Sequence, residues 1–170
     1  MEKKILNLNG KTLMNSQDIW DDSLGKKVWS LISVQQGGYL TVKGGDVIGK
    51  ANDCYAADVR DGGHLVIEDG FWRGNITVAY AYEGTIEVKG GEFDVVQLDP
   101  THKDKRFMLN CFDANYKNGK SKIIVSGGKF HDFDPGNNLA EGPGTNFLAP
   151  GYASFEVEPG VFEVRPEDQA

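Results

Sequence analysis

A short pattern with a glycine at its corner recurs five times along this chain of 170 residues. It reads apolar, any, apolar, two or three polar or small residues, glycine, any, apolar. The copies are GYLTVKGGDV (38–47), GHLVIEDGFW (63–72), GTIEVKGGEF (84–93), SKIIVSGGKF (121–130) and ASFEVEPGVF (153–162). Such self-similarity is typical of repeat architectures, in which each unit buries its apolar face against its neighbours.

Another apolar segment and a turn precede each copy, so that each unit reads strand, turn, strand, glycine corner, short strand. These segments are VWSLISV (28–34), YAADV (55–59), ITVAYAY (76–82), FMLNC (107–111) and NFLA (146–149). An opening partial copy, KKILNLNGKTL (3–13), is displaced by one residue at its glycine. Three strands and three corners in roughly 20–25 residues fit one coil of a parallel β-helix. The sequence therefore predicts an all-β, single-domain parallel β-helix, a solenoid of about five to six coils.

Alternation along the strands predicts which side chains point inward. On the middle strands these are Leu40/Val42, Leu65/Ile67, Ile86/Val88, Ile123/Val125 and Phe155/Val157. On the third strands the equivalent residues are Val47, Trp72, Phe93, Phe130 and Phe162. Stacked coils would place these last five in one column, so we expect an aromatic ladder in the core.

The spacing of the copies also predicts the domain organisation. Two longer intervals indicate insertion loops in the C-terminal half: QLDPTHKDKR (97–106) with ANYKNGKS (114–121), and HDFDPGNNLAEGPGT (131–145). Loops that leave a rigid scaffold are common recognition sites. We expect a capping or attachment segment at 1–30, the β-helix domain at 31–166 and a tail at 167–170. The candidate helix at 16–24 also fits a loop.

Composition and charge restrict the partners. The formal net charge is −7, and phosphate neutralisation requires clustered Lys and Arg, so a nucleic-acid partner is not expected. No segment is long and apolar enough to predict a membrane span, and the N-terminus lacks the apolar run of a signal peptide. Cys54 and Cys111 are expected to be reduced, buried thiols, with a disulfide or a reactive thiol as alternatives.

The segment FHDFDPGNN (130–138) is the best candidate for a metal site. It offers His131, Asp132, Asp134, Asn137 and Asn138 as donors within a few residues. However, it lacks the spaced donors and terminal Glu of a calcium loop, and Asp-Pro-Gly is an ordinary turn sequence. We therefore predict turn chemistry, with no metal and no cofactor.

Surface aromatic residues are the other candidate feature. Phe71 has outward parity on its strand, and Tyr82 and Tyr116 fall near turns. Such residues suit a sugar-binding or protein-binding strip, although scattered exposed apolar residues are also normal. The candidate binding residues are thus Phe71, Tyr82, Tyr116, His131, Asp132, Asp134 and Asn137, with none assigned as catalytic.

The run of G-x-L-x-V-x-G-G and V-x-G-G-x-F coils, followed by FDPGNNLAEGPGTNFLAPGY (133–152), resembles the short right-handed parallel β-helix proteins of tailed bacteriophages and prophages of gut bacteria. The resemblance covers about residues 28–165. It implies a non-enzymatic structural or adhesive virion component, such as a capsid decoration, fibre or tail-associated protein, made in the host cytoplasm. The implied partners are other virion proteins or further copies of the chain, with a host surface glycan as an additional one.

Two other functions stay open at this point. The first is a β-helix protein that binds or cleaves carbohydrate. Cleavage is not the expectation, because the chain lacks the NTD and RIK motifs of polygalacturonase-type enzymes and has only four arginines, Arg60, Arg73, Arg106 and Arg165. The second is an acidic phage inhibitor of a host nucleic-acid-binding factor, which the charge of −7 favours only in general terms.

Overall fold

A computed structural model describes residues 1–16, 30–49, 54–96, 100–101 and 106–169. In these residues the protein is nearly all β, and most strands pair in parallel. Residues 17–24 of the candidate helix and most of the 97–106 insertion lie outside the described residues. The strands form three sheets, which we call sheets I, II and III.

Sheet I contains the middle strands of the repeat, all parallel: β1 (Lys3–Asn7), β4 (Tyr39–Lys43), β7 (Gly63–Ile67), β10 (Gly84–Val88) and β13 (Ser121–Val125). Sheet III contains the preceding strands, also parallel: β3 (Ser30–Val34), β6 (Tyr55–Val59), β9 (Ala79–Ala81) and β12 (Leu109–Cys111).

Sheet II is mixed. Its parallel part contains β2 (Thr12–Met14), β5 (Asp46–Ile48), β8 (Phe71–Gly74), β11 (Glu92–Val95) and β14 (Lys129–His131). Two antiparallel strands complete it, β15 (Tyr152–Glu158) and β16 (Val161–Pro166). A short helix, α1 (Asp113–Lys117), lies between β12 and β13, and a 3-10 turn at Glu167–Gln169 follows β16.

The chain visits sheets III, I and II in rotation, and we call each such passage a circuit. β3–β4–β5, β6–β7–β8, β9–β10–β11 and β12–β13–β14 are successive circuits, so each strand pairs with its equivalent one circuit away. β1 and β2 pair with β4 and β5, which confirms KKILNLNGKTL as a partial copy. Its corner uses residues 8–11 where the next circuit uses only Gly44 and Gly45, and Gly10 lies one residue further from Leu6 than Gly45 does from Val42, as predicted.

The core lies between the three sheets, in one cluster of buried apolar residues. The predicted inward pairs of the first four copies face it, with Leu40 only partly buried. Val47, Trp72, Phe93 and Phe130 are in register and fully buried. The Phe93 and Phe130 rings stack with centroids 4.8 Å apart. The aromatic ladder is therefore confirmed through the fourth copy.

The corner between sheets I and II requires glycine because adjacent circuits approach closely there. A Cβ atom on Gly70 would lie 1.9 Å from the Gly45 carbonyl oxygen, and the φ angle of Gly70 is +92°. At Gly91 the approach is less close, with a Cβ atom 3.0 Å from the Gly70 carbonyl oxygen, but the φ angle of +105° again favours glycine. A side chain at this corner would force the circuits apart.

The fifth copy is not a parallel coil, contrary to the prediction. β15 and β16 form an antiparallel hairpin around Pro159 and Gly160, a pair that suits a two-residue reversal with positive φ at the glycine. Phe162 does pair with Phe130 but in the antiparallel sense, and it is only half-buried. The predicted inward pair is also wrong, because Phe155 is half-buried and Val157 is 40% exposed.

Residues 132–149, which we call the end loop, close one end of the core. Phe133 and Phe147 are buried and join the core cluster. The Val125 amide of β13 donates to the Phe147 carbonyl, and the Ala149 amide donates to the Val125 carbonyl. The segment NFLA therefore lies beside sheet I and not beside sheet III, where the repeat pattern predicted it. The insertion predicted at 131–145 covers the end of the circuits, because its Phe133 is buried in the core.

Candidate binding surfaces

The end loop brings three of the candidate binding residues into one pocket. Asp132, Asp134 and Asn137 line a depression of about 190 Å³ beside the end of β14. The remaining lining residues are Arg106, Phe107, Phe133, Asn138 and Leu139. The backbone sharply changes direction here, because Asp132 has a φ angle of +53°. We call this depression the polar pocket.

Charges in and beside the polar pocket are largely paired. Arg106 Nη1 lies 3.3 Å from Asp94 Oδ1 and 3.5 Å from Asp132 Oδ2. His131, which flanks the pocket at the end of β14, places Nε2 2.6 Å from Glu92 Oε1. With two carboxylates around one guanidinium, the pocket disfavours an anionic ligand and suits neutral hydroxyl or amide groups.

Two of the pocket residues have a structural role. Asp134 Oδ1 accepts a hydrogen bond from the Gly136 amide at 2.8 Å, and Asn138 Nδ2 donates to the Asp134 carbonyl at 3.0 Å. This is the local side-chain-to-backbone bonding expected of Asp in a turn, so the turn interpretation of Asp-Pro-Gly is confirmed. No group of three or more His, Cys, Asp or Glu in the described part of the chain is placed to hold a metal ion.

A second surface consists of exposed aromatic rings that follow strands β9 and β12 of sheet III. The rings of Tyr82 and Phe112 stack with centroids 4.9 Å apart. Tyr116 lies one turn of α1 after Phe112, whose carbonyl accepts from the Tyr116 amide at 2.9 Å. The exposed fractions of Tyr82, Phe112 and Tyr116 are 36–37%. We call these three residues the aromatic strip.

Cationic side chains and an apolar groove adjoin the aromatic strip. The guanidinium of Arg60 lies 5.4 Å from the Tyr82 ring centroid. At the other end, Tyr116 meets Phe147 edge to face and opens onto a groove of about 340 Å³. The groove is also lined by Lys122, Ile123, Ile124, Asn146, Leu148 and Pro150. Aromatic rings beside cationic side chains are a common feature of recognition surfaces.

Phe71, the remaining candidate, lies in neither surface. It is half-buried at the start of β8, where its amide donates to Asp46 Oδ1 at 2.9 Å and its register partner is Glu92. Its outward parity was predicted correctly, but its described contacts are with sheet II.

Sequence reasoning missed Arg106, Phe112, Phe147 and Leu139. Phe112 had a recoverable signal, because β9 and β12 are equivalent strands of successive copies. Ala81 pairs with Cys111, so the residues that follow them, Tyr82 and Phe112, lie side by side. No sequence pattern indicated Arg106, because its pairing with Asp94 and Asp132 depends on the path of the 97–106 insertion.

Buried titratable groups surround β12, close to where α1 begins. Cys111 and Cys54 are both buried thiols, as expected. Burial raises the pKa of the Cys111 thiol and that of the Tyr80 hydroxyl well above their ordinary values. Burial, together with a hydrogen bond to Asp113, raises the pKa of Glu141 to about 7, although the Cys111 amide acts in the opposite direction.

Comparison with protein-family models, with curated proteins and with solved structures found no match. No helix within the described ranges is long and apolar enough to cross a membrane. The two surfaces must therefore be interpreted from their own chemistry.

Proposed function

We propose that this chain is a short parallel β-helix that serves as a non-enzymatic structural or adhesive component of a phage virion. The rotation of the chain through sheets III, I and II, with in-register parallel pairing between circuits, supports the β-helix. The phage context comes from the resemblance of the coils and of residues 133–152. Other virion proteins or further copies of the chain would hold the β-helix in its place on the particle.

The aromatic strip is the observation that carries the adhesive role. Its rings project from strand ends and a helix that are fixed by the stacked circuits, so their spacing is pre-organised. Pre-organised contacts lose less conformational entropy on binding than mobile ones. A rigid body with exposed rings on one side suits attachment better than turnover.

Mass spectrometry of purified particles tests the virion assignment. Particles of the phage or induced prophage that encodes the chain should contain it at a fixed copy number relative to the major capsid protein. A lysate that contains abundant protein but yields particles without it would overturn the assignment.

Carbohydrate binding is the second candidate function, and the same strip favours it. Aromatic rings pack against the apolar faces of sugar rings, and the groove beside Tyr116 adds the Asn146 amide and the Lys122 amine as partners for hydroxyls. The expected result is contact between a neutral oligosaccharide, such as cellotetraose, and Tyr116 in saturation-transfer NMR. Tyr116→Ser should abolish it and Phe71→Ser, on sheet II, should not. Equal signals from both variants would argue against the strip as a glycan site.

A further inference from the structure

Glu141 fastens the end loop to the last strand of sheet III. Its Oε1 accepts a hydrogen bond from the Cys111 amide at 2.5 Å. Within the described residues β12 is the final strand of that sheet, so no further strand pairs with it on this side. The carboxyl oxygen thus takes the place of the carbonyl that another strand would provide.

The second oxygen of Glu141 has a different environment. Oε2 is buried and receives no hydrogen bond from the described residues. Asp113, the first residue of α1, places a second carboxyl group within hydrogen-bonding reach of Glu141. Two ionised carboxylates lack a donor, so such a bond exists only when the pair holds a proton.

Among the described residues, the titratable groups that face this pair are the Cys111 thiol of β12 and the Tyr80 hydroxyl of β9, which itself lies beside Tyr55 and Tyr82. None of these groups is cationic, so none of them compensates the negative charge of a fully ionised pair. Loss of the shared proton therefore leaves two carboxylates in mutual repulsion at the base of the end loop.

We propose that Glu141 and Asp113 form a pH-dependent latch, which holds the end loop on β12 while the two carboxyl groups share a proton and loosens it when that proton leaves. The end loop also carries Asn137 and Leu139 of the polar pocket. Loosening would therefore change the shape of that pocket, whatever ligand it takes. This latch does not depend on the proposed virion role.

The raised pKa of Glu141 gives the direction of the effect. A group whose pKa is raised in the docked state stabilises docking fully at pH values below its ordinary pKa of 4.5. That contribution declines as the pH increases, and it is lost once the pH passes the docked value of about 7. Mildly acidic solution should therefore tighten the loop, and mildly alkaline solution should release it.

Hydrogen exchange of the Cys111 amide, followed by NMR on the whole chain, measures the latch directly. After correction for intrinsic exchange, we expect its protection factor to fall at least about tenfold between about pH 5 and about pH 8. Glu141→Gln should keep high protection throughout, since a neutral amide accepts from Cys111 and donates to Asp113 at any pH. Glu158→Gln, on the exposed part of β15, is the matched control and should behave as the wild type.

Three results would overturn the proposal. The first is a wild-type protection factor that does not change with pH. The second is a Glu141→Gln variant whose protection factor declines as in the wild type. The third is a Glu158→Gln control whose protection factor does not decline. Asp113→Asn provides a second test should Glu141→Gln fold poorly. It removes the neighbouring carboxylate, so the decline should move to lower pH, and a decline that stays in place would also contradict the latch.

Discussion

The fourth and fifth copies of the repeat share one sequence pattern but fold differently. SKIIVSGGKF (121–130) forms β13 and β14, which continue the parallel circuits and bury Ile123, Val125 and Phe130. ASFEVEPGVF (153–162) forms a hairpin along sheet II, with Val157 exposed. The pattern therefore specifies strands and a corner, whereas the corner residues and the preceding chain decide whether the second strand advances to a new sheet or turns back.

The largest difference in the free energy of unfolding should be between the aromatic ladder and the hairpin. Phe93→Ala removes a fully buried ring from between Trp72 and Phe130, so it should lower the free energy of unfolding by roughly 3–5 kcal/mol. Phe162→Ala removes a half-buried ring from the hairpin and should cost about half as much. Urea unfolding of both variants measures the difference. Equal losses would mean that the hairpin belongs to the same cooperative core.

The next largest difference in stability should be between alanine substitutions at the two corner glycines Gly70 and Gly160. Gly70→Ala places a Cβ against the Gly45 carbonyl at a φ angle of +92°, so we expect a loss of about 3 kcal/mol. Gly160→Ala meets only the movable Asp132 side chain, at a φ angle of +74°, and should cost about 1 kcal/mol. Thermal and urea unfolding would test the ranking, and the reverse order would contradict the close approach of the circuits.

Buried charge within the circuits should matter more than charge at the end loop. Asp58 is 1% exposed, accepts from the Ser30 and Ser33 hydroxyls and lies 3.4 Å from Arg60. Asp58→Ala should therefore cost roughly 2–3 kcal/mol, since it leaves polar partners without their acceptor. Asp132→Ala, at a side chain 61% exposed, should cost under about 0.5 kcal/mol. A similar loss from both would show that the Asp58 cluster is solvated.

The smallest effect on stability should come from the aromatic strip. Tyr116→Ser removes an exposed ring whose described ring contact is with Phe147, so we expect a loss of about 1 kcal/mol or less. The same unfolding assay measures it. A loss as large as that of Phe93→Ala would indicate that Tyr116 supports the core and is not available for binding.

Sequence alone determined the strands of the first four copies, their inward residues and the aromatic ladder through Phe130. These follow from alternation along a strand and from a glycine corner, which are local properties of the chain. Only the tertiary structure decided that the fifth copy reverses at Pro159 and Gly160, and that the end loop covers the core. It also brought Arg106 to Asp94 and Asp132, and Glu141 to Cys111, because such pairs depend on the path of chain segments between circuits, which no local pattern encodes.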